Sequence, residues 1–219
     1  MGRSHPCATE SAVWPHRQSA LQTINNDHTV LKHCLNVAIR RGLMVANSAS
    51  AVPLPDPQNE RDRVLSEEEW TALYEPAASH LRPILLVAYH LGQRLGGIIN
   101  LTWDRVDLHR RGFITLRGVD TKTKKPRRVP MTPAVRQALA ELAKVRSLKT
   151  NRVFLYKGEP VKEIKRTFRT AKRQAGIKDF RFHDLRHCAS TNLRRAGVDT
   201  ATAMKIVGHA ITPSRKATW

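Results

Sequence analysis

The residues best suited to chemistry stand in one heptad, Arg181-Phe182-His183-Asp184-Leu185-Arg186-His187. His183 and Arg186 are three positions apart, so on a helix both side chains leave the same face. An imidazole beside a guanidinium suits a ligand whose negative charge changes during reaction, and phosphate is the common case. His183 and His187 are also spaced i, i+4, as in a zinc helix. Asp184 stands where such a helix carries glutamate, and no third ligand follows at useful spacing. A basic helix start facing solvent is the plain alternative.

A second arginine stands out upstream. Arg94 sits between the apolar run Ile84–Leu91 and the apolar run Ile98-Ile99, with no acid within four residues on either side. A guanidinium in such surroundings needs a partner or a ligand, because a lone buried charge is expensive. A third cationic feature is the stretch 110–128, with eight Lys/Arg and one acid. It suits a basic β-ribbon lying along a nucleic-acid backbone, or simply a solvated hairpin.

The elements that must position these residues are legible in outline. Ile24, Leu31, Leu35, Ala38 and Ile39 recur at helical spacing, and Gly42 supplies a stop. That single helix cannot bury its own apolar stripe, so it packs on the later domain or is the end of a larger helical one. Pro53, Pro55 and Pro57 among small polar residues mark a linker. Ser66 with Glu69 forms a capping box, with Trp70 and Leu73 opening the apolar face behind it. Leu81–Leu91 predicts a further helix. Phe113–Arg117 alternates as a strand, and Val129 closes its partner. Thr132-Pro133 starts a helix through Val135, Leu139 and Leu142. Val153–Tyr156 reads as a short strand and Val161–Ala175 as a basic helix ended by Gly176. Ala189–Ala196 continues the helix of the His183 segment, and Asp199 caps Thr200–Val207 ahead of Gly208.

Charge narrows the partner. Thirty-eight Lys+Arg against 18 Asp+Glu give +20 and a pI near 10.9, which favours a polyanion such as nucleic acid. Residues 144–186 alone hold fourteen Lys/Arg and four acids. No apolar run is long enough to cross a bilayer, and the start has no signal-peptide pattern. Cys7, Cys34 and Cys188 are scattered, as reduced thiols in a cytoplasmic protein would be.

Taken in chain order, these patterns resemble the tyrosine recombinases, the phage integrase family. "LGQRLGGIINLTWDRVDL" looks like the family's first arginine box, with its arginine at Arg94. "DTKTKKPRRVPM" is similar to its β-hairpin, whose lysine falls at Lys122. "FHDLRHCASTNL" matches the His-x-x-Arg box at His183 and Arg186, and "AMKIVGH" the Gly-His turn at His209. Four boxes in order are far more specific than one. The resemblance covers about Leu65–His209 and implies an α+β fold, mainly α with a small antiparallel β-sheet. Residues 1–20 are then expected to be a disordered or non-native start. Residues 21–57 are read as the remnant of a helical DNA-clamping domain with its linker, and 63–219 as a tyrosine recombinase catalytic domain expected to be incomplete at its C-terminal end.

The resemblance also implies a mechanism of DNA integration and recombination. A tyrosine attacks a phosphodiester and forms a 3′-phosphotyrosyl link without metal or other cofactor. Arg94 and Arg186 would clamp the non-bridging oxygens and Lys122 would protonate the leaving oxygen. His183 would assist proton transfer, and His209 would hydrogen-bond the phosphate. Lys124, Lys125, Arg127, Arg128, Lys165 and Arg166 are expected along the DNA backbone. The implied partners are double-stranded DNA and other copies of the chain on DNA, with no membrane, in the cytoplasm and at the nucleoid. Three departures stand out. The N-terminal helical domain is short. Gly97 occupies the family's usual acidic position after the arginine. The tyrosines are Tyr74, Tyr89 and Tyr156, none in the place of the nucleophile. The expectation is therefore a DNA-binding chain that does not cleave by itself. The alternatives are a tyrosine supplied by another protomer, a non-catalytic regulatory role, and a zinc enzyme through His183 and His187.

Overall fold

The computed structural model describes residues 18–55, 63–109, 112–117 and 126–208. The chain forms two compact units, residues 1–60 and 61–219. In the first, helix α1 (Gln18–Arg40) ends at Gly42 and is followed by a 3₁₀ turn, Ser48–Ala51. Asn47 fastens the turn back onto the helix: its Nδ2 donates to the Lys32 carbonyl at 3.0 Å and to Asn36 Oδ1 at 2.7 Å. Ile24 and Leu31 on α1 remain about half exposed.

The second unit is mainly helical: α2 (Glu67–Tyr74), α3 (Arg82–Leu91), α4 (Leu95–Ile99), α5 (Pro133–Lys144), α6 (Lys165–Gln174), α7 (Leu185–Arg195) and α8 (Thr200–Val207). The expected start signals are in place. Ser66 and Glu69 close a capping box on α2, Thr132 Oγ1 accepts from Val135 N ahead of Pro133 on α5, and Asp199 caps α8. Helix α3 is the axis of the core. Ile84, Leu85, Leu86, Val87, Ala88 and Leu91 are buried, so α3 is covered nearly all round, by α7 and α5 among others.

Two antiparallel sheets complete the unit. The first runs β1 (Val106–Asp107), β2 (Phe113–Leu116), β3 (Arg127–Pro130), with Ile114 facing Val129 and Leu116 facing Arg127 across β2–β3. Ile114, Leu116 and Val129 point inward, as the alternation demands. The second is a hairpin, β4 (Leu155–Tyr156) and β5 (Glu159–Pro160). The architecture is thus mainly α with small antiparallel sheets.

Two expectations shift. Helix α6 begins at Lys165 rather than Val161, because Val161 N donates to the Phe154 carbonyl and is held by the hairpin instead. The strand β4 is likewise shorter than Val153–Tyr156: Val153 bonds to the Leu101 carbonyl and is buried with Phe154 in the core.

Candidate functional site

Three of the predicted motifs meet at the C-terminal end of α3. That helix stops at Gly92, which takes φ +60° and lets the chain turn sharply. A Cβ there would lie 3.0 Å from Ala189 Cβ of α7 and 3.0 Å from Val207 Cγ1 of α8. Glycine is therefore needed both for the backbone turn and for the close approach of two helices. The next residues, Gln93 and Arg94, project from this junction, and Arg94 is the N-cap residue of α4.

Arg186 reaches the junction from α7. It is 3% exposed, and its Nη1 donates to the Gly92 carbonyl at 2.7 Å. A guanidinium carries five N–H donors. Among the described residues this is the one hydrogen bond Arg186 makes to protein, and no carboxylate pairs with it. Burial, then Arg94, then Arg127 push its pKa down to about 10. Arg94 is half-buried, and its guanidinium has no hydrogen-bond or carboxylate partner among the described residues. Arg127 is lowered too, by burial first and by Arg94 second. Three guanidiniums thus share one field, and among the described residues no acid pairs with them. Like charges so placed repel, and an anion between them reverses the sign of the interaction.

His183 stands at the mouth of this cluster. It lies in a 3₁₀ turn, Phe182–Asp184, and α7 begins only at Leu185. The i, i+3 relation to Arg186 is kept across the turn-to-helix junction, but the two differ in depth: His183 is exposed and Arg186 buried. Burial of its ring, then Arg186 and His187, lower the His183 pKa, with Asp184 opposing and Arg94 adding to the fall. The shift favours the neutral imidazole, the form able to accept a proton. Asp184 is committed elsewhere, its Oδ2 accepting from Arg181 N at 2.7 Å. The His183 and His187 rings are 6.2 Å apart, edge to face, and the described residues contain no cluster of three potential metal ligands.

Gln93 is the residue sequence reasoning passed over. It is 5% exposed, and its Nε2 donates to the carbonyls of Leu91 at 2.6 Å and Ile206 at 3.0 Å. Its Oε1 accepts from Arg127 Nη2. No local pattern marks it, since it stands between Gly92 and Arg94, beyond the apolar run that ends at Leu91. Arg127, expected along DNA, is instead turned into the protein, whereas Arg128 is exposed with its guanidinium 4.6 Å over the Phe113 ring. Lys165 and Arg166 are exposed on α6. Arg166, Arg169 and Arg173 line one groove on that helix. Lys122, Lys124, Lys125 and His209 lie outside the described residues.

Comparison with known proteins agrees with this arrangement. Residues 63–213 match the profile of the Phage integrase family. The integrase of Salmonella phage P22 is 28% identical over 217 residues, covering 90% of this chain and 53% of that protein. The tyrosine recombinase XerC of Staphylococcus aureus is 30% identical over 174 residues, 72% of this chain and 57% of the relative. The chain thus spans about half the length of these curated relatives. Among solved structures, XerA recombinase superposes with a TM-score of 0.60 at 28% identity, covering 85% of this chain and 68% of that one. The Tn1549 transposon integrase, solved with circular intermediate DNA, gives 0.68 at 22% identity, covering 88% and 72%, and shares the fold. With most of its second unit inside the matched region and its arginine and His-x-x-Arg boxes joined at one junction, the chain belongs to the phage integrase family of tyrosine recombinases.

Proposed function

We propose that the chain binds double-stranded DNA and grips one backbone phosphate between Arg94 and Arg186. The observation that carries this reading is the arginine cluster at the end of α3, Arg186 buried and Arg94 half-buried, with no acid paired to either among the described residues. Each guanidinium can offer paired N–H donors to phosphate oxygens, and the low-dielectric setting strengthens the contact. His183, by resemblance, assists proton transfer from the attacking hydroxyl, and its lowered pKa supports that role. By resemblance, Lys122 donates to the leaving oxygen and His209 to the phosphate. The exposed cations Arg128, Lys165 and Arg166, with Lys124 and Lys125 by resemblance, track the flanking backbone. DNA-bound dimers and tetramers of lambda integrase suggest that this chain also associates with other copies on DNA. The first unit is read as part of a helical DNA-clamping domain.

We propose further that this 219-residue polypeptide, by itself, binds without covalent attachment. Tyr74 and Tyr89 are engaged in a stack with Trp70, with ring centroids 5.2 and 3.8 Å away. Tyr156 lies on the β4–β5 hairpin against His80. Tyr156 is half exposed, but none of the three lies where the resemblance places the family's nucleophile. Incubation with a nicked duplex that traps phosphotyrosyl intermediates tests both parts. The expected result is a salt-sensitive complex with no protein–DNA adduct after denaturation. An adduct overturns the non-cleaving reading, and failure to bind duplex at low salt overturns the DNA reading.

A further inference from the structure

We infer that Arg127 is a positioning residue, which aligns the phosphate pocket through Gln93 and the end of α8 and does not itself touch DNA. The inference rests on reading Arg94 and Arg186 as that pocket. The geometry separates Arg127 from its neighbours on the basic hairpin. Along β3 the side chains alternate, with Arg127 and Val129 turned inward and Arg128 outward. The Arg127 guanidinium then donates three times to protein: Nη1 to the Lys205 carbonyl at 3.0 Å, Nη2 to the Val207 carbonyl at 3.1 Å, and Nη2 to Gln93 Oε1. Gln93 Nε2 takes the Ile206 carbonyl between them.

Two side chains thus satisfy three consecutive carbonyls at the C-terminus of α8, where a helix leaves acceptors without intrahelical partners. The negative end of the helix dipole suits a guanidinium there. Gly208 is part of the seat. It takes φ +81°, and a Cβ at that position would fall 1.6 Å from Arg127 Nη1. The segment Gly92-Gln93-Arg94 is consequently held from two sides, Gly92 by Arg186 and Gln93 by Arg127. The direction in which Arg94 leaves the backbone, and the carbonyl on which Arg186 rests, both depend on this tie. A third cation beside two others gains nothing from its neighbours, so the carbonyls and Gln93 are what hold it in place.

The experiment measures two quantities on the full chain: the dissociation constant for inorganic phosphate, from the phosphate dependence of the melting temperature, and the slope of duplex affinity against salt. R127Q is expected to weaken phosphate roughly tenfold or more while leaving the salt slope unchanged. R128Q, at an outward backbone cation, is expected to flatten that slope by about 0.9. R127K keeps the charge but cannot span Gln93 and two carbonyls, and is expected to behave like R127Q. Gln93→Leu retains every cation and is expected to weaken phosphate as well, which decides the matter even where R127Q does not fold. A flattened slope in R127Q makes Arg127 a DNA contact and overturns the inference. Wild-type phosphate affinity in R127K overturns it in favour of charge alone. So does a lower melting temperature in R127Q or Gln93→Leu with phosphate affinity intact, which marks a merely structural tie. A wild-type chain that shows no response to phosphate removes the pocket reading, and Arg127's part in it, together.

Discussion

Arg186 is the residue in which stability and binding oppose each other most clearly. It is almost fully buried, rests on one carbonyl, and is depressed by burial and by two other arginines. Replacing it with methionine removes the repulsion and keeps the packing. The variant Arg186→Met is expected to melt higher than wild type in phosphate-free buffer and to lose its response to phosphate. Differential scanning calorimetry with and without phosphate checks both halves. His183 yields a pH prediction. Its folded pKa lies below the ordinary 6.5, so between the two values the unfolded chain holds more protons. Stability therefore rises with pH through the window ending near 6.5 and gains nothing from this group above it. His80 and His90, both lowered by burial, act in the same sense. His183→Gln is expected to make the urea midpoint less pH-dependent below 6.5 without abolishing the trend.

At the scale of elements, the junction of α3, α7 and α8 carries the site, and its glycines and caps set its tolerances. Gly208→Ala places a side chain at positive φ and onto Arg127, at a cost of roughly 1–3 kcal/mol. Ser66→Ala breaks the α2 capping box, away from the site, at about 1 kcal/mol. Leu85→Ala in α3 opens a cavity in the core at roughly 2–5 kcal/mol. Denaturant unfolding ranks the three, and only Gly208→Ala is expected to weaken phosphate as well. Much of this scaffold was legible beforehand. Ser66, Thr132, Asp199 and Gly208 are local signals whose cause lies within a few residues. The start of α6 was misplaced because Val161 answers to Phe154, a partner whose pairing no local pattern shows. The candidate site was visible as two motifs, Arg94 in one and His183 with Arg186 in the other. The tie between Gln93 and Arg127 spans 34 positions and leaves no trace in either neighbourhood. For that reason Arg127 reads in sequence as one more cation of a basic hairpin.

At the scale of the whole molecule, the net charge of +20 is what the proposed DNA binding draws on. Each phosphate contact releases counterions, so duplex affinity is expected to fall steeply and linearly on a log–log plot against salt. Fluorescence anisotropy across a salt series checks it, and a flat profile contradicts the charge argument. The central claim is narrower than this general attraction: Arg94 and Arg186 hold a single tetrahedral anion with His183 at the mouth. The most direct test is a crystal structure of the chain grown with tungstate, whose anomalous signal marks a phosphate-like ion unambiguously. A peak is expected to bridge the Arg94 and Arg186 guanidiniums, within hydrogen-bonding reach of His183. Tungstate bound elsewhere on the basic surface, with the space between those two arginines empty, would contradict it.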